Sequence, residues 1–283
     1  MKTIFFGGSS FVIPIINTLK EDFGLDLVVV KNENDPLINY CKLNNINFEI
    51  NGHLKYAKEE SLEDDTKILS KDFDLGVVAD YGVYIPNDIL SFYKHGIINV
   101  HPSLLPKFRG PTPVQSALLA NEKTTGVTII KIDNQIDHGS ILSQKKYEIK
   151  KRDTSFDLLK NLFELGALLI KENLPKYLNG DLIPTPQDDS KATFTRIFIK
   201  NDGFVDITKL LETKNLEQMI KALHPWPSVW TKILVAKQNE KIVKFLPHNQ
   251  IQVEGKKPMS YKDFLNGYPE VDLKLKTFLS NYV

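Results

Sequence analysis

The sequence predicts an α/β fold in which a mostly parallel sheet is followed by a small β-rich module. In the first half of the chain, short apolar segments alternate with helix-like segments, which is typical of βαβ units. After residue 200, short β-like segments follow one another without intervening helices. A length of 283 residues is typical of two domains. We expect a first domain over 1–180, a linker over 181–200 and a small C-terminal domain over 201–283.

The strands of the first domain are predicted from short apolar runs. KTIFF, LDLVVV, DLGVVA and GIINV are rich in β-branched and aromatic residues, as expected of strands buried on both faces. NFEI is a further short strand after a helix near 36–45, and another helix pattern separates it from DLGVVA. VTIIKID and ILSQKKYEI flank a turn at 137–139 and predict two more strands. Their pairing could be antiparallel or parallel.

A long helix is predicted over residues 153–174. Thr154 and Asp157 resemble a capping box at its start, and leucines spaced three or four apart form one apolar stripe. Pro175 and Gly180 are expected to close it. Beyond it, a helix near 215–223 and the β-like runs TKILVA, KIVKFL and NQIQVEG predict the C-terminal module, which ends in a helix-like tail.

The composition is that of a globular protein, with 42% hydrophobic and 25% charged residues. No apolar stretch is long enough to span a membrane, and the N-terminus holds too few apolar residues for a signal peptide. Cys41 is the only cysteine, which excludes an internal disulfide framework. We therefore expect a cytoplasmic protein. The net charge is +1, but 13 Lys against 9 Asp plus Glu from residue 200 onward give the C-terminal part a basic excess.

The segment GGSSF follows the first strand and opens a helix, where doubly wound folds bind anionic groups. It is not G-x-G-x-x-G, and no acidic residue ends the second strand in the place that a ribose requires. A tight turn lining some other cleft is therefore favoured over a nucleotide site.

The loop from Asn99 to Pro111 contains the highest concentration of side chains that could take part in catalysis or binding. Alternation along GIINVH places Asn99 and His101 on the same side of the strand, and prolines stiffen the residues that follow. A structural hydrogen-bonding role for the histidine remains an alternative. A metal site formed by His95, His101 and His138 is a weaker one, because their spacing matches no common ligand motif.

NVHPSLLPKFRGPTPVQSALLANEKTTGVTIIKIDNQIDHGSILSQ resembles the core of the folate-dependent formyltransferases. The shared pattern is an Asn-x-His pair, an SLLP turn and an aspartate 36 positions after the histidine, which is Asp137 here. The resemblance implies a Rossmann-like formyltransferase fold. It also implies direct attack of a primary amine on 10-formyltetrahydrofolate, without a metal. Asn99 and His101 would stabilise the oxyanion, and Asp137 would tune the protonation of His101.

The same resemblance implies roles for further residues. The folate would contact two segments, which comprise Ser103, Leu104, Leu105 and Pro106, and Tyr81, Gly82, Val83, Tyr84 and Ile85. The acceptor would contact Gly7, Phe11 and Arg109. Arg109 is one of only three arginines in the chain, and its planar fork suits bidentate or stacking contacts.

Segments outside this core resemble the branch of the family that formylates methionyl-tRNA. They include DTSFDLLKNLFELGALLI, FTRIFIKNDGFVDI, MIKALHPWPSVWT and GKKPMSYKDFLNG. They imply initiator methionyl-tRNA as partner, bound by an OB-like C-terminal domain, and we expect a monomer. The branch usually has a long basic loop after the second strand, whereas KNENDPLINYC is short and nearly neutral, and the C-terminal domain is also abbreviated.

These departures leave three alternatives open. The first is formylation of a nucleotide-linked amino sugar, which the short loop would permit. The second is hydrolysis of the formyl-folate by the same three residues. The third is a catalytically idle RNA-binding protein.

Overall fold

A computed structural model of the chain describes residues 1–51, 73–212, 215–235 and 239–280. These residues form two compact units that do not follow chain order. Unit 1 comprises Met1–Pro113, Thr124–Glu148 and Leu159–Thr195, and unit 2 comprises Val114–Lys123, Ile149–Leu158 and Arg196–Val283. The boundaries 1–180, 181–200 and 201–283 stay a prediction. Most of the segment predicted as a linker, up to Thr195, lies in unit 1.

Unit 1 is built on a seven-stranded sheet with the strand order β3-β2-β1-β4-β5-β6-β7. Pairing is parallel from β3 to β5 and antiparallel from β5 to β7, as the sequence led us to expect for the first five strands. The strands are β1 Thr3–Gly7, β2 Leu27–Val30, β3 Phe48–Ile50, β4 Leu75–Ala79, β5 Ile97–His101, β6 Thr124–Lys131 and β7 Ile141–Glu148. The strand order reverses between β1 and β4, which is where open α/β sheets form a ligand crevice.

The helices described within the first 180 residues are short except for the last. They are α1 Ile13–Thr18, α2 Pro36–Leu43, α3 Asn87–Leu90, α4 Pro113–Leu119 and α5 Ser155–Leu178. Asp35 caps α2 by accepting a hydrogen bond from the backbone N of Leu37 at 3.0 Å. The helix pattern between NFEI and DLGVVA lies outside the described residues.

Both faces of β1, β2, β4 and β5 are buried, as their continuous apolar sequences predict, whereas β3 at the edge of the sheet is partly exposed. Along β1, Phe5 belongs to one apolar cluster, whereas Ile4 and Phe6 belong to another. All three side chains are completely buried. Because successive side chains point to opposite faces of a strand, the sheet separates two cores.

Helix α5 begins as predicted and ends later than predicted. The backbone N of Thr154 donates to the Asp157 carboxylate at 3.0 Å, and the backbone N of Asp157 donates to Thr154 Oγ1 at 3.2 Å, so the capping box is confirmed. The prediction that Pro175 closes the helix is wrong, because the helix runs through it to Leu178. Leu174 is buried, and Tyr177 donates to the backbone oxygen of His95 at 2.6 Å. These contacts hold the last turn although Pro175 has no N–H to donate.

Unit 2 contains a four-stranded antiparallel sheet in the order β11-β10-β9-β8, which confirms the β-rich C-terminal module. Its strands are β8 Val229–Val235, β9 Asn239–Leu246, β10 Gln250–Val253 and β11 Met259–Ser260. Its C-terminal helices are α6 Leu216–Leu223, α7 Tyr261–Gly267 and α8 Leu273–Ser280. In the described part of the chain, no helix is both long enough and apolar enough to cross a bilayer.

Candidate functional site

Three predicted residues meet beyond the carboxyl end of β5. Asn99 and His101 occupy alternate positions of this strand, so their side chains point to the same side. Asp137 lies in the turn between β6 and β7, with a φ of 48° in the left-handed region. Gly139 allows this turn to close tightly, since a Cβ there would stand only 1.8 Å from the backbone oxygen of Lys131.

The Asp137 carboxylate joins these groups. Its Oδ1 accepts a hydrogen bond from Asn99 Nδ2 at 3.1 Å, and its Oδ2 accepts one from the backbone N of Gly110 at 2.7 Å. His101 Nδ1 faces the same Oδ2 at 3.6 Å. The side chains of His101 and Asp137 are only 5% and 14% exposed, so little water screens this pair.

The hydrogen bonds assign different roles to the two nitrogens of His101. Nε2 lies 3.0 Å from the backbone oxygen of Phe108, and because a carbonyl can only accept, Nε2 carries a proton. Nδ1 is therefore the nitrogen that faces Asp137. Its 3.6 Å separation from Oδ2 exceeds hydrogen-bond length, so Nδ1 has room to bond a third group.

The predicted folate-contacting turn, from Ser103 to Pro106, is held by two polar side chains of the neighbouring strands. Thr128 Oγ1 donates to the backbone oxygen of Ser103 at 2.6 Å and accepts from the backbone N of Leu105 at 3.1 Å. Gln144 Nε2 donates to Thr128 Oγ1 and to the backbone oxygen of Leu105. Ser103 and Leu105 are buried by these contacts, whereas Leu104 and Pro106 are partly exposed.

The segment from Tyr81 to Ile85 follows β4. Tyr81 and Ile85 are buried, Gly82 and Tyr84 are exposed, and Val83 is half-buried. The Tyr81 hydroxyl donates to the backbone oxygen of Asn51, and burial raises the pKa of this phenol. Within the described residues, the backbone groups of Gly82, Val83 and Tyr84 make no hydrogen bond. These backbone groups are therefore candidate contacts for a ligand with polar edges.

The glycine turn lies at the end of β1, next to β4. A Cβ on Gly8 would stand 2.7 Å from the backbone oxygen of Asp80, so the turn requires glycine for this close approach. Gly7 ends β1, and Phe11 packs, partly buried, against one apolar core. Desolvation by the surrounding protein raises the pKa of Asp80.

Arg109 makes internal contacts. It is only 3% exposed, its Nη2 donates to Asp189 Oδ1 at 2.7 Å, and both Nε and Nη2 donate to Gln187 Oε1. The guanidinium also lies over the ring of Phe194 at 6.0 Å. The predicted acceptor contact of Arg109 stays a prediction, while these bonds give the side chain a structural role.

The partners of Arg109 belong to residues 185–195, which we call the strap. The backbone N of Arg109 donates to the oxygen of Thr193, and the backbone N of Thr195 donates to the oxygen of Arg109, both at 2.8 Å. At its other end, Thr185 exchanges two backbone hydrogen bonds with Ile141. The strap therefore joins the loop after β5 to the start of β7.

Gln187 in the strap is the residue that sequence reasoning missed. Its Nε2 donates to the backbone oxygens of Asp137 and Gly139, both at 2.8 Å, while its Oε1 accepts from Arg109. Proline and aspartate in this stretch indicate a linker, and no periodic pattern marks one polar side chain among them. Only the three-dimensional contacts reveal its place beside Asp137.

His138 and His95 do not join the cluster around Asp137. His138 Nδ1 bonds Asp133 Oδ2 at 2.5 Å and its Nε2 lies 3.3 Å from Asp189 Oδ2. The hydrogen bond with Asp133 is the main cause of the raised pKa of His138, and Asp189 adds to it. No group of three or more metal-ligating side chains occurs among residues that the structure describes.

Comparison with known proteins identifies relatives of the whole chain. The formyl transferase family model matches residues 1–173. A methionyl-tRNA formyltransferase from Bacillus mycoides is 31% identical over 318 aligned positions, which cover 97% of this chain and 98% of the relative.

Solved structures share the fold. A 4-N formyltransferase from Francisella tularensis superposes with a TM-score of 0.67 at 19% identity, covering 87% of this chain and 98% of that one. An N-formyltransferase from Helicobacter canadensis was solved with folinic acid and dTDP-3-aminofucose. It superposes with a TM-score of 0.61 at 20% identity, covering 89% of this chain and 95% of that one.

The bonds of Thr128 lead to a stability prediction. Thr128→Val removes a hydroxyl that makes three hydrogen bonds and leaves Leu105 N without its partner. We expect the free energy of unfolding to fall by about 2–4 kcal/mol in urea denaturation. Thr125→Val is the matched control, because the Thr125 hydroxyl, also buried on β6, has no hydrogen-bond partner among the described residues. An equal decrease in both variants would contradict the assigned role of the Thr128 hydroxyl.

Proposed function

Because the chain belongs to the formyl transferase family, we propose that it transfers a formyl group from 10-formyltetrahydrofolate to the amino group of initiator methionyl-tRNA. The observation that carries this proposal is the cluster in which Asn99, His101 and Gly110 surround the Asp137 carboxylate. The match of 97% of the chain to a methionyl-tRNA formyltransferase supports the acceptor. A folate- and tRNA-dependent reaction accords with the expected cytoplasmic location.

The reaction forms one C–N bond and breaks another. The amine attacks the formyl carbon, the carbonyl oxygen becomes a tetrahedral oxyanion, and the bond to the folate nitrogen breaks as a proton moves from the amine to that nitrogen. Asn99 Nδ2 uses one hydrogen on Asp137 and has a second for the oxyanion. Protonated Nδ1 of His101 supplies the other donor. Each such donor contributes about 3 kcal/mol to the stabilisation of the transition state.

Asp137 serves two purposes in this mechanism. Its Oδ2 faces Nδ1 of His101 at 3.6 Å, and its Oδ1 fixes the orientation of the Asn99 amide. A water molecule beside it would carry the proton of the attacking amine. General acid–base assistance of this kind contributes about 10²–10⁴-fold to the rate.

The co-substrate supplies the formyl group and the leaving nitrogen. The backbone groups of residues 82–84, which bond nothing else in the described part of the chain, would bind the edge of its pterin ring. Leu104 and Pro106, which are partly exposed, would contact its apolar surface. The hydrogen bonds from Thr128 and Gln144 keep this turn in one conformation before the folate binds.

A cavity in unit 2 supports a polyanionic acceptor. Its lining carries the cationic groups of Lys151, Arg152 and Lys221 together with His248, against a single acidic residue, Glu217. Lys221 is already used by Glu217 and by the backbone oxygen of Lys151. The side chains of Lys151 and Arg152 make no hydrogen bond or ion pair within the described ranges, so both can bind phosphates.

One observation favours a second acceptor. Only residues 31–35 connect β2 to α2, where the tRNA-specific branch usually has a long basic loop. The Helicobacter canadensis enzyme that shares the fold was solved with an amino-sugar nucleotide. Formylation of a nucleotide-linked amino sugar is therefore the alternative.

A direct comparison of acceptors tests the proposed function. With 10-formyltetrahydrofolate present, we expect formylation of initiator methionyl-tRNA and no reaction with dTDP-linked amino sugars, followed by release of tetrahydrofolate. Transfer only to the sugar would establish the alternative. Folate turnover without any acceptor would instead identify a hydrolase.

The His101 assignment leads to a kinetic prediction. His101→Ala removes an oxyanion donor and the partner of Asp137, so we expect kcat to fall at least about a hundredfold. Circular dichroism should show an unchanged fold. His95→Ala is the control, because the side chain of His95 is away from this cluster and should leave kcat unchanged. Near-normal turnover of the His101 variant would refute the assignment.

The cavity in unit 2 leads to a prediction about salt. Replacing Lys151 and Arg152 by glutamine should weaken tRNA binding and reduce the slope of log K against log salt concentration by about one for each phosphate that is no longer bound. Lys160→Gln with Lys176→Gln, two exposed lysines on α5, is the charge-matched control. Equal slopes in both double variants would exclude the cavity from the tRNA interface.

A further inference from the structure

The amide of Gln187 is fully bonded within unit 1. Its NH₂ group donates to the backbone oxygens of Asp137 and Gly139, and its oxygen accepts from Nε and Nη2 of Arg109. An amide has two donor hydrogens and two acceptor lone pairs. All four are therefore used, and only one orientation of the amide satisfies its three partners, Asp137, Gly139 and Arg109.

These four bonds connect the two loops that hold the Asp137 carboxylate. Arg109 precedes Gly110, whose backbone N donates to Asp137 Oδ2 at 2.7 Å. Gln187 bonds to Arg109 on that side and to the backbone of Asp137 itself on the other. The distance between Gly110 N and Asp137 is thus fixed twice, once directly and once through Gln187.

The Gln187 amide holds the backbone of the 137–139 turn. Asp137 has a φ of 48°, in the left-handed region that aspartate adopts more readily than most residues but less readily than glycine. A backbone oxygen that accepts a hydrogen bond from a half-buried amide is held in one orientation. Removal of the two donor bonds would allow the 137–139 backbone to relax and the carboxylate to turn away from Asn99 and His101.

We propose that Gln187 is a positioning residue for the formyl transfer, which orients the Asp137 carboxylate toward Asn99 and His101 through its bonds to the 137–139 backbone. This inference rests on the proposed function, because it acts through the residues assigned to that reaction. Gln187 does not touch the reacting atoms. Its effect is on the geometry of the oxyanion donors, where a displacement of about 1 Å costs about a hundredfold in rate.

Gln187→Glu separates positioning from simple stabilisation. The substitution keeps the side-chain shape and the oxygen that pairs with Arg109, where its charge strengthens the bond. It removes the NH₂ group and places an acceptor against the oxygens of Asp137 and Gly139. If Gln187 only stabilised the fold by holding Arg109, the variant would be as stable and as active as wild type.

We expect Gln187→Glu to lower kcat by about 10- to 100-fold, with KM for folate and acceptor changed by less than about threefold. The unfolding temperature should remain within a few degrees of wild type. Asp188→Asn is the matched control in the strap, since Asp188 is exposed and, among the residues that the structure describes, bonds only Ser190 and Lys191. It should retain wild-type kcat. A Gln187→Glu enzyme with wild-type kcat would overturn the proposal.

A spectroscopic measurement tests the proposal without any acceptor substrate. The ¹⁵N shifts of the His101 ring report the environment of Nδ1, and we expect them to change in Gln187→Glu but not in Asp188→Asn. Unchanged shifts would overturn the proposal. If wild-type protein formylated neither acceptor, the proposed function would fail, and the shifts would still decide the role of Gln187.

If Gln187→Glu does not fold, Gln187→Met can be used for the same measurements. Methionine keeps the length and removes all four hydrogen bonds, so the same decrease in kcat and the same change in the His101 shifts are expected. Failure of both variants to fold would overturn the proposal, because Gln187 would then be required for folding rather than for orientation.

Discussion

The candidate site depends on one carboxylate that is contacted from three sides. Asp137 accepts from Asn99 and from the backbone of Gly110, and it faces Nδ1 of His101. A buried carboxylate is costly unless its oxygens are bonded, so the surrounding loops must hold their donors at fixed distances. The tight turn at Gly139 and the left-handed conformation of Asp137 are local features that this requirement explains.

The sheet determines which side chains point toward the site, and polar contacts between loops hold them at fixed positions. The carboxyl end of β5 presents Asn99 and His101, and the neighbouring β1 and β4 bring the glycine turn and residues 81–85 to the same edge. Thr128 and Gln144 fix the turn after His101. Hydrogen bonds from side-chain amides and hydroxyls hold the turn after His101 and the 137–139 turn, which preorganises this part of the site on a rigid scaffold.

Most of the fold followed from the sequence because buried parallel strands leave a strong pattern of β-branched residues. The Asn99, His101 and Asp137 cluster also followed, since its spacing matched a known core. The end of the long helix was predicted wrongly at Pro175. A proline disfavours a helix through local effects, whereas the burial of Leu174 depends on tertiary packing that the sequence does not reveal. The role of Gln187 could not be predicted either, because its four hydrogen bonds join it to residues 48 to 78 positions away in the sequence. Arg109 is one of only three arginines, which drew attention to it, but its partners in the strap could not be predicted from composition.

The strap also sets the order in which the site can form during synthesis. Chains emerge from the ribosome N-terminus first, so β1 to β5 are complete long before the residues that hold the loop after β5. Arg109 meets its backbone partners only when Thr193 and Thr195 have been made, about 20 residues beyond the end of the matched family segment at 173. A nascent chain that stops short of the strap would carry Asn99, His101 and Asp137, yet lack the Gln187 amide and the Thr193 and Thr195 bonds that join their loops.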